Sequence, residues 1–156
     1  MTEQTIPLLI HTQYIKKLSF NSPGAPLTLA PGGPQPKLHV SVGMDGKYYD
    51  NMDGVGGKPY EVTLLVDAKA TTQDGSEVLF ELNLAYGMFV TVSENVPPEQ
   101  HHPLLMIEGP KIAFPFMRQI VAEVTQNAGF PQLMLTPVNF DKLYRDQYAA
   151  QMAQTQ

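Results

Sequence analysis

Apolar side chains occupy every second position through the middle of the chain. Tyr60, Val62, Leu64, Val66, Ala68 and Ala70 alternate with Glu61, Thr63, Asp67 and Lys69, and Leu65 is the one exception. After a break at Thr71-Thr72-Gln73-Asp74-Gly75, the even series resumes with Val78, Phe80, Leu82, Leu84, Tyr86, Met88 and Val90. A period of two sends alternate side chains to opposite faces, so this stretch predicts two long antiparallel strands. One face is apolar and needs a cover. The other carries Glu61, Asp67, Glu77, Glu81 and Asn83 and suits water. Ile6, Leu8, Ile10, Tyr14, Leu18 and Phe20 repeat the pattern in a first strand, bent near its start by Pro7. Leu38, Val40, Val42 and Met44 make a second strand, which the glycine-rich stretch from Asp45 to Pro59 ends in a long turn.

The period then changes. Leu104 to Ile107 form a short apolar piece. A longer helix is predicted from Pro110 to about Asn127, with Gly129 as its stop. Ile112, Phe116, Ile120 and Val124 are four apart and are joined by Val121; this stripe is expected to cover the apolar sheet face. Pro115 either kinks the helix or marks its true start. Beyond the irregular linker from Pro131 to Val138, Asn139 suits the N-cap of a last helix, with Asp141 in its first turn. Leu143, Tyr144, Tyr148 and Met152 lie along one side of it. Strands followed by helices predict an α+β fold: a four-stranded antiparallel sheet with helices packed on one face. A single domain over 1–156 is expected, with 1–5 and 151–156 as frayed termini.

Composition narrows the functions. Charged residues make up 16% of the 156, against about 25% in an average globular protein. That leaves room for exposed apolar contact area. A net charge of −5 argues against a nucleic-acid partner and allows basic or unfolded ones. The absence of cysteine excludes disulfides and thiolate metal sites. Met1-Thr2-Glu3-Gln4 has neither a basic n-region nor a long apolar run, so no signal peptide and no membrane insertion are expected. Eight methionines suit a surface that accepts varied partners, and equally a flexible core.

Motifs for catalysis or cofactors fail on inspection. Gly54 to Pro59 lacks the first glycine of a phosphate loop and has proline where a magnesium-binding hydroxyl belongs. Asp50 to Gly54 lacks the glutamate of a calcium loop. His101-His102 has no third ligand at metal spacing and reads as a solvated pair before a helix. No catalytic residues, metal or cofactor are assigned, and no enzyme is predicted. Five prolines and three glycines between Asn21 and Pro36 forbid regular structure, yet Leu27 and Leu29 lie among them. The segment is either a crossover loop pinned by two leucines or the flexible wall of a binding groove.

One run is specific. Phe130-Pro-Gln-Leu-Met-Leu-Thr-Pro-Val-Asn-Phe-Asp-Lys-Leu-Tyr144 closely resembles the SecB family of bacterial protein-export chaperones. Tyr14 to Pro26, Tyr60-Glu-Val, Tyr86-Gly-Met-Phe89 and Phe114-Pro-Phe-Met-Arg118 support the resemblance in the family's order. It implies a four-stranded antiparallel sheet with helices on one face, assembled as a homotetramer, a dimer of dimers, in the cytoplasm. It also implies an ATP-independent holdase that keeps secretory precursors unfolded and passes them to SecA. A general antifolding or toxin–antitoxin-linked chaperone of the same fold is the alternative.

Expected client-binding residues are Leu27, Leu29, Leu38, Val40 and Val42 in the crossover segment and second strand, with Phe140, Leu143 and Tyr144 on the last helix. The resemblance also implies that the outward sheet face meets the zinc-binding tail of SecA. A Leu-x-Glu pair carries part of that contact in the family. Leu79 and Glu81 match it here, with both side chains expected to point outward. Lys17 and Asn21 stand where many family members have acidic residues.

Overall fold

The computed structural model describes residues 7–33, 35–50 and 57–154, with side chains as far as Tyr148. Four strands, β1 (Leu8–Asn21), β2 (Lys37–Tyr48), β3 (Lys58–Thr71) and β4 (Val78–Val92), form one antiparallel sheet in the order β1-β4-β3-β2. The central pair follows the alternation. Val62, Leu64, Val66, Ala68 and Ala70 of β3 and Leu82, Leu84, Met88 and Val90 of β4 are buried on one face, here called inner. Strand β2 does not stop at Met44. Its pairing continues to Tyr48 opposite Tyr60, because Asp45 to Tyr48 keep an unbroken ladder with Tyr60 to Thr63. The central part of the calcium-loop and phosphate-loop stretches, 51–56, lies outside the described residues, as do 1–5, 155 and 156 of the expected frayed ends. Residues 151–154 continue the last helix.

Strand β1 departs from the simple parity. Its register against β4 slips between Ile10 and Thr12 and again between Ile15 and Lys17. Each extra residue exchanges the faces of those that follow. Leu8 and Ile10 share the inner face with Val92 and Val90, and Leu18 and Phe20 share it with Leu84 and Leu82. Between the bulges Gln13 and Ile15 turn inward and Tyr14 turns outward, opposite Gly87. Tyr14 thus leaves the apolar series in which it was counted. The Tyr86 hydroxyl donates to Gln13 Oε1 at 3.0 Å across the inner face.

The helical layer starts earlier than expected. A 3-10 turn (Pro98–Gln100), α1 (His101–Pro103), a π-helical turn (Leu104–Glu108) and α2 (Gly109–Asn127) follow without a break. Pro115 lies inside α2. It removes one backbone donor, but Phe114 and Met117 beside it are buried and hold the helix to the sheet. The covering side of α2 is Pro110, Ala113, Phe114, Met117 and Val121. Of the stripe expected to cover the sheet, Val121 is buried and Ile120 and Val124 pack against the core, whereas Ile112 is 41% and Phe116 51% exposed.

Gly129 ends the helix as expected, at φ +90°. Its N–H donates to the Gln126 carbonyl and that of Phe130 donates to Thr125, the paired bonds of a Schellman stop. The last helix, α3 (Phe140–Gln154), is capped by Asn139, whose Oδ1 accepts from the Lys142 N–H at 3.1 Å.

Helix α2 packs on β3 and β4, and α3 packs on the π-helical turn. The sheet is four strands wide, but its cover is centred on two. Ile15 and Leu18 of β1 and Leu38 and Val40 of β2 are exposed on the inner face at the two edges.

Gly87 is required by the outward turn of Tyr14. A Cβ there would lie 2.5 Å from the Tyr14 ring. We expect Gly87→Ala to cost about 1–3 kcal/mol in urea denaturation, and the penalty to shrink in a Tyr14→Ala background.

Candidate functional site

The uncovered part of β2 borders a groove. Leu38, Val40 and Val42 line one side, and Leu133, Met134, Leu135 and Thr136 of the linker line the other, around about 380 Å³. Leu38 is 46% and Val40 45% exposed, and Val42 is half-buried. Among the described residues β2 pairs in the sheet with β3 alone, so beside Leu38 to Val42 its other edge offers backbone groups outside the ladder, while the Met44 carbonyl accepts from Gln147 Nε2 at 3.2 Å.

The linker wall is irregular but held. Leu135 is buried and anchors it. The Leu133 N–H donates to Thr125 Oγ1 at 2.9 Å, and that hydroxyl donates to the Val121 carbonyl at 2.9 Å. Thr125 is fully buried. Leu133 and Met134 are absent from the expected site because they sit in a segment without period. The apolar run Leu133-Met134-Leu135 was the available signal.

The crossover leucines part company. Leu27 stands 82% exposed at the start of a 3-10 turn (Leu27–Leu29). Leu29 leans on the Gly129 turn, in a separate cleft shared with Phe130 and Leu79. Leu79 does not point outward: it is 1% exposed. The register between β3 and β4 slips at Thr71, which faces Val78, so Leu79 is the extra residue and turns under the crossover segment. The Ser22 hydroxyl donates to its carbonyl at 3.3 Å.

On α3, Phe140 and Tyr144 are buried and Leu143 is half-buried against the core. Phe140 meets Phe114 edge-on, with centroids 5.8 Å apart. Tyr144 Oη lies 2.9 Å from His102 Nδ1, and burial raises the Tyr144 phenol above its ordinary pKa. These three residues dock α3 and do not line the β2 groove. The histidines are not a solvated pair. His101 is buried, with Nε2 2.9 Å from the Val96 carbonyl and Nδ1 3.2 Å from Tyr60 Oη. The carbonyl fixes the proton on Nε2, so Nδ1 accepts from Tyr60. His102 is exposed. Among the described residues no group of three or more His, Asp or Glu is placed to hold a metal ion.

The outer face is mixed in charge. Glu81 is exposed, paired across the sheet with Lys69 and Asn21. His39 and Asp67 lie beside it. Lys17 faces Ala85, farther along the sheet. Glu61, expected to face water, is buried on this face, as is Thr63. The outward-turned Tyr14 donates to Glu61 Oε2, and Lys16 Nζ lies 2.6 Å from Oε1. Burial alone would raise the Glu61 pKa; the hydrogen bonds from Lys16 and Tyr14 outweigh it and hold the carboxyl below its ordinary value.

The four-stranded sheet with its partial helical cover is a fold found among solved chaperones. A Mycobacterium tuberculosis SecB-like chaperone, solved in complex with a ChAD peptide from the HigA1 antitoxin, shares the fold at TM-score 0.61 and 11% identity. The likeness covers 85% of this chain and 91% of that one. The family model described as preprotein translocase subunit SecB matches residues 1–151, and the chain belongs to the SecB family. A protein-export protein SecB from Afipia carboxidovorans is 45% identical over 147 residues, covering 94% of this chain and 86% of the relative. Another from Rhodopseudomonas palustris strain TIE-1 is 45% identical over 139 residues, covering 88% and 82%. The family is one of protein export.

The groove wall depends on one hydroxyl. Thr125→Val keeps the side-chain shape and strands the Leu133 N–H, at a cost of about 1–3 kcal/mol. Amide hydrogen exchange at Leu133 is expected to quicken while that of the β3–β4 ladder holds.

Proposed function

We propose that this protein is an ATP-independent holdase that binds unfolded secretory precursors in the cytoplasm and passes them to SecA. The observation that carries the reading is the groove between β2 and the linker, with Leu38 and Val40 half-exposed beside unpaired strand backbone. An unfolded chain offers apolar side chains and unpaired backbone, and this edge matches both. Burying one large side chain yields about 1.5–3 kcal/mol, much of which ordering consumes. One short groove binds weakly, and several on one particle bind a long client by effective concentration. A homotetramer, a dimer of dimers, supplies them. Exposed Ile15 and Leu18 on β1 and Ile112 and Phe116 on α2 support such an assembly.

Client contact on this reading falls to Leu38, Val40 and Val42, with Leu27 and Leu29 on the crossover segment. Phe140, Leu143 and Tyr144 act by holding α3 in place. SecA docking falls to the outer face around Glu81, and Leu79 supports that face from beneath. High identity to export proteins favours export clients over the antifolding or toxin–antitoxin alternative.

Mixing the protein with a slow-folding precursor should block refolding stoichiometrically without ATP; an unimpeded rate would reject the holdase. Leu38→Ser with Val40→Ser should weaken client capture about ten-fold or more with little loss of stability, both side chains being half in water. Phe140→Ala should instead cost about 3–5 kcal/mol of stability. Glu81→Lys should weaken SecA binding and spare client binding; equal SecA affinity in both proteins would remove Glu81 from the docking face.

A further inference from the structure

Cysteine and methionine are the side chains that climb the sulfur oxidation ladder, and this chain has none of the first and eight of the second. Every sulfur it offers to an oxidant is therefore a thioether. The fold sorts them. Met44, Met88, Met106 and Met117 lie in the core, each at most 4% exposed. Met134 is the exception among the described side chains, at 47%. It stands on the linker wall of the β2 groove, across from Leu38 and Val40.

The wall is anchored on either side of Met134. Leu135 is buried, and the Leu133 N–H is held by the Thr125 hydroxyl. About half of the Met134 side chain stays open between these two anchors. A change in its polarity alters what the groove presents to a bound segment and leaves the packing beneath it in place. Leucine here would supply apolar surface alone; methionine adds a sulfur that solvent reaches.

We propose that Met134 is a redox-modification site: oxidation of its thioether to the sulfoxide by a peroxide weakens the groove's hold on an apolar client, and reduction restores it. The proposal rests on the holdase reading. One oxygen of hydrogen peroxide bonds to Sδ as the O–O bond breaks. Its proton passes to the departing hydroxide, which leaves as water; the sulfur loses two electrons and the peroxide gains them. In the reverse step two thiols of a methionine sulfoxide reductase supply two electrons and two protons, the oxygen leaves as water, and the thiols become a disulfide. The sulfoxide is polar and stands in a wall of leucines. An apolar client side chain seated there strips water from it without offering a hydrogen bond in return, which costs binding free energy. Client capture thereby falls under peroxide without loss of the fold.

The test uses the full chain, treated briefly with hydrogen peroxide that catalase removes before an unfolded precursor is added. Peptide mapping by mass spectrometry is expected to show the Met134 sulfoxide well before those of Met44, Met88, Met106 and Met117. Capture of the precursor should weaken about three- to ten-fold, with an unchanged urea midpoint. A pair of methionine sulfoxide reductases, one for each sulfoxide epimer, should restore it. Met134→Leu should capture as well as the untreated protein and keep that affinity after peroxide, which separates Met134 from every other methionine of the chain. Met134→Gln, a polar side chain of similar length, should start at the weakened level. Oxidation of Met134 no earlier than the core methionines overturns the proposal. So does an equal loss of capture by Met134→Leu after peroxide. A fall in the urea midpoint that accompanies the loss of capture would assign the effect to unfolding, again overturning it. Failure of the untreated protein to capture the precursor sinks the holdase reading itself; equal capture by the untreated and the Met134-oxidised protein sinks only the redox site.

Discussion

The helical layer of this protein is narrower than the sheet it covers. Helix α2 lies over β3 and β4, where Ala68, Ala70 and the valines and leucines of both strands are sealed from water. The edge strands carry the same kind of inward side chain without the same cover. Burial is the main source of stability, so leaving Leu38, Val40, Ile15 and Leu18 accessible forgoes part of it. An accessible apolar edge is also an aggregation hazard. A protein that keeps one has a use for it, and on the proposed reading that use is another polypeptide.

The uncovered strip is bordered by elements held by specific contacts. Thr125, fully buried, ties an irregular linker to α2 through a single hydroxyl. The Schellman stop at Gly129 reverses the chain so that the linker runs back along β2. Asn139 then starts α3, whose Phe140 and Tyr144 anchor it on α2 and His102. The groove is a gap between β2 and an anchored linker.

The two faces of the sheet divide the electrostatics. The outer face is mixed: Glu81 sits in one row with Lys69, and Glu61 is buried and held ionised by Tyr14 and Lys16. Asn21, beside Glu81, leaves one negative charge fewer there than an acidic residue would supply. A basic partner docking on this face meets a weaker field than a uniformly acidic sheet presents. At the end of the helical layer the carboxylates of Glu108 and Asp141 share one cation, Lys111.

Much of the architecture was legible in the residues themselves. Strict alternation in β3 and β4, the glycine at 129 and the asparagine at 139 act through their nearest neighbours, and the strands, the stop and the cap followed from them. The run from Phe130 to Tyr144 identified the family. What the residues could not show was anything set by contact across the chain. Bulges in β1 reversed Tyr14, and the slip at Thr71 turned Leu79 inward, because register is decided by the opposing strand. Helix α2 buried Val121 as expected, but Pro110, Ala113 and Met117 in place of Ile112 and Phe116, since which side of a helix meets a sheet depends on where its ends are tied. The linker residues Leu133 and Met134 became a groove wall for the same reason. Periodicity states which side chains need cover; only the packed chain decides which of them receive it.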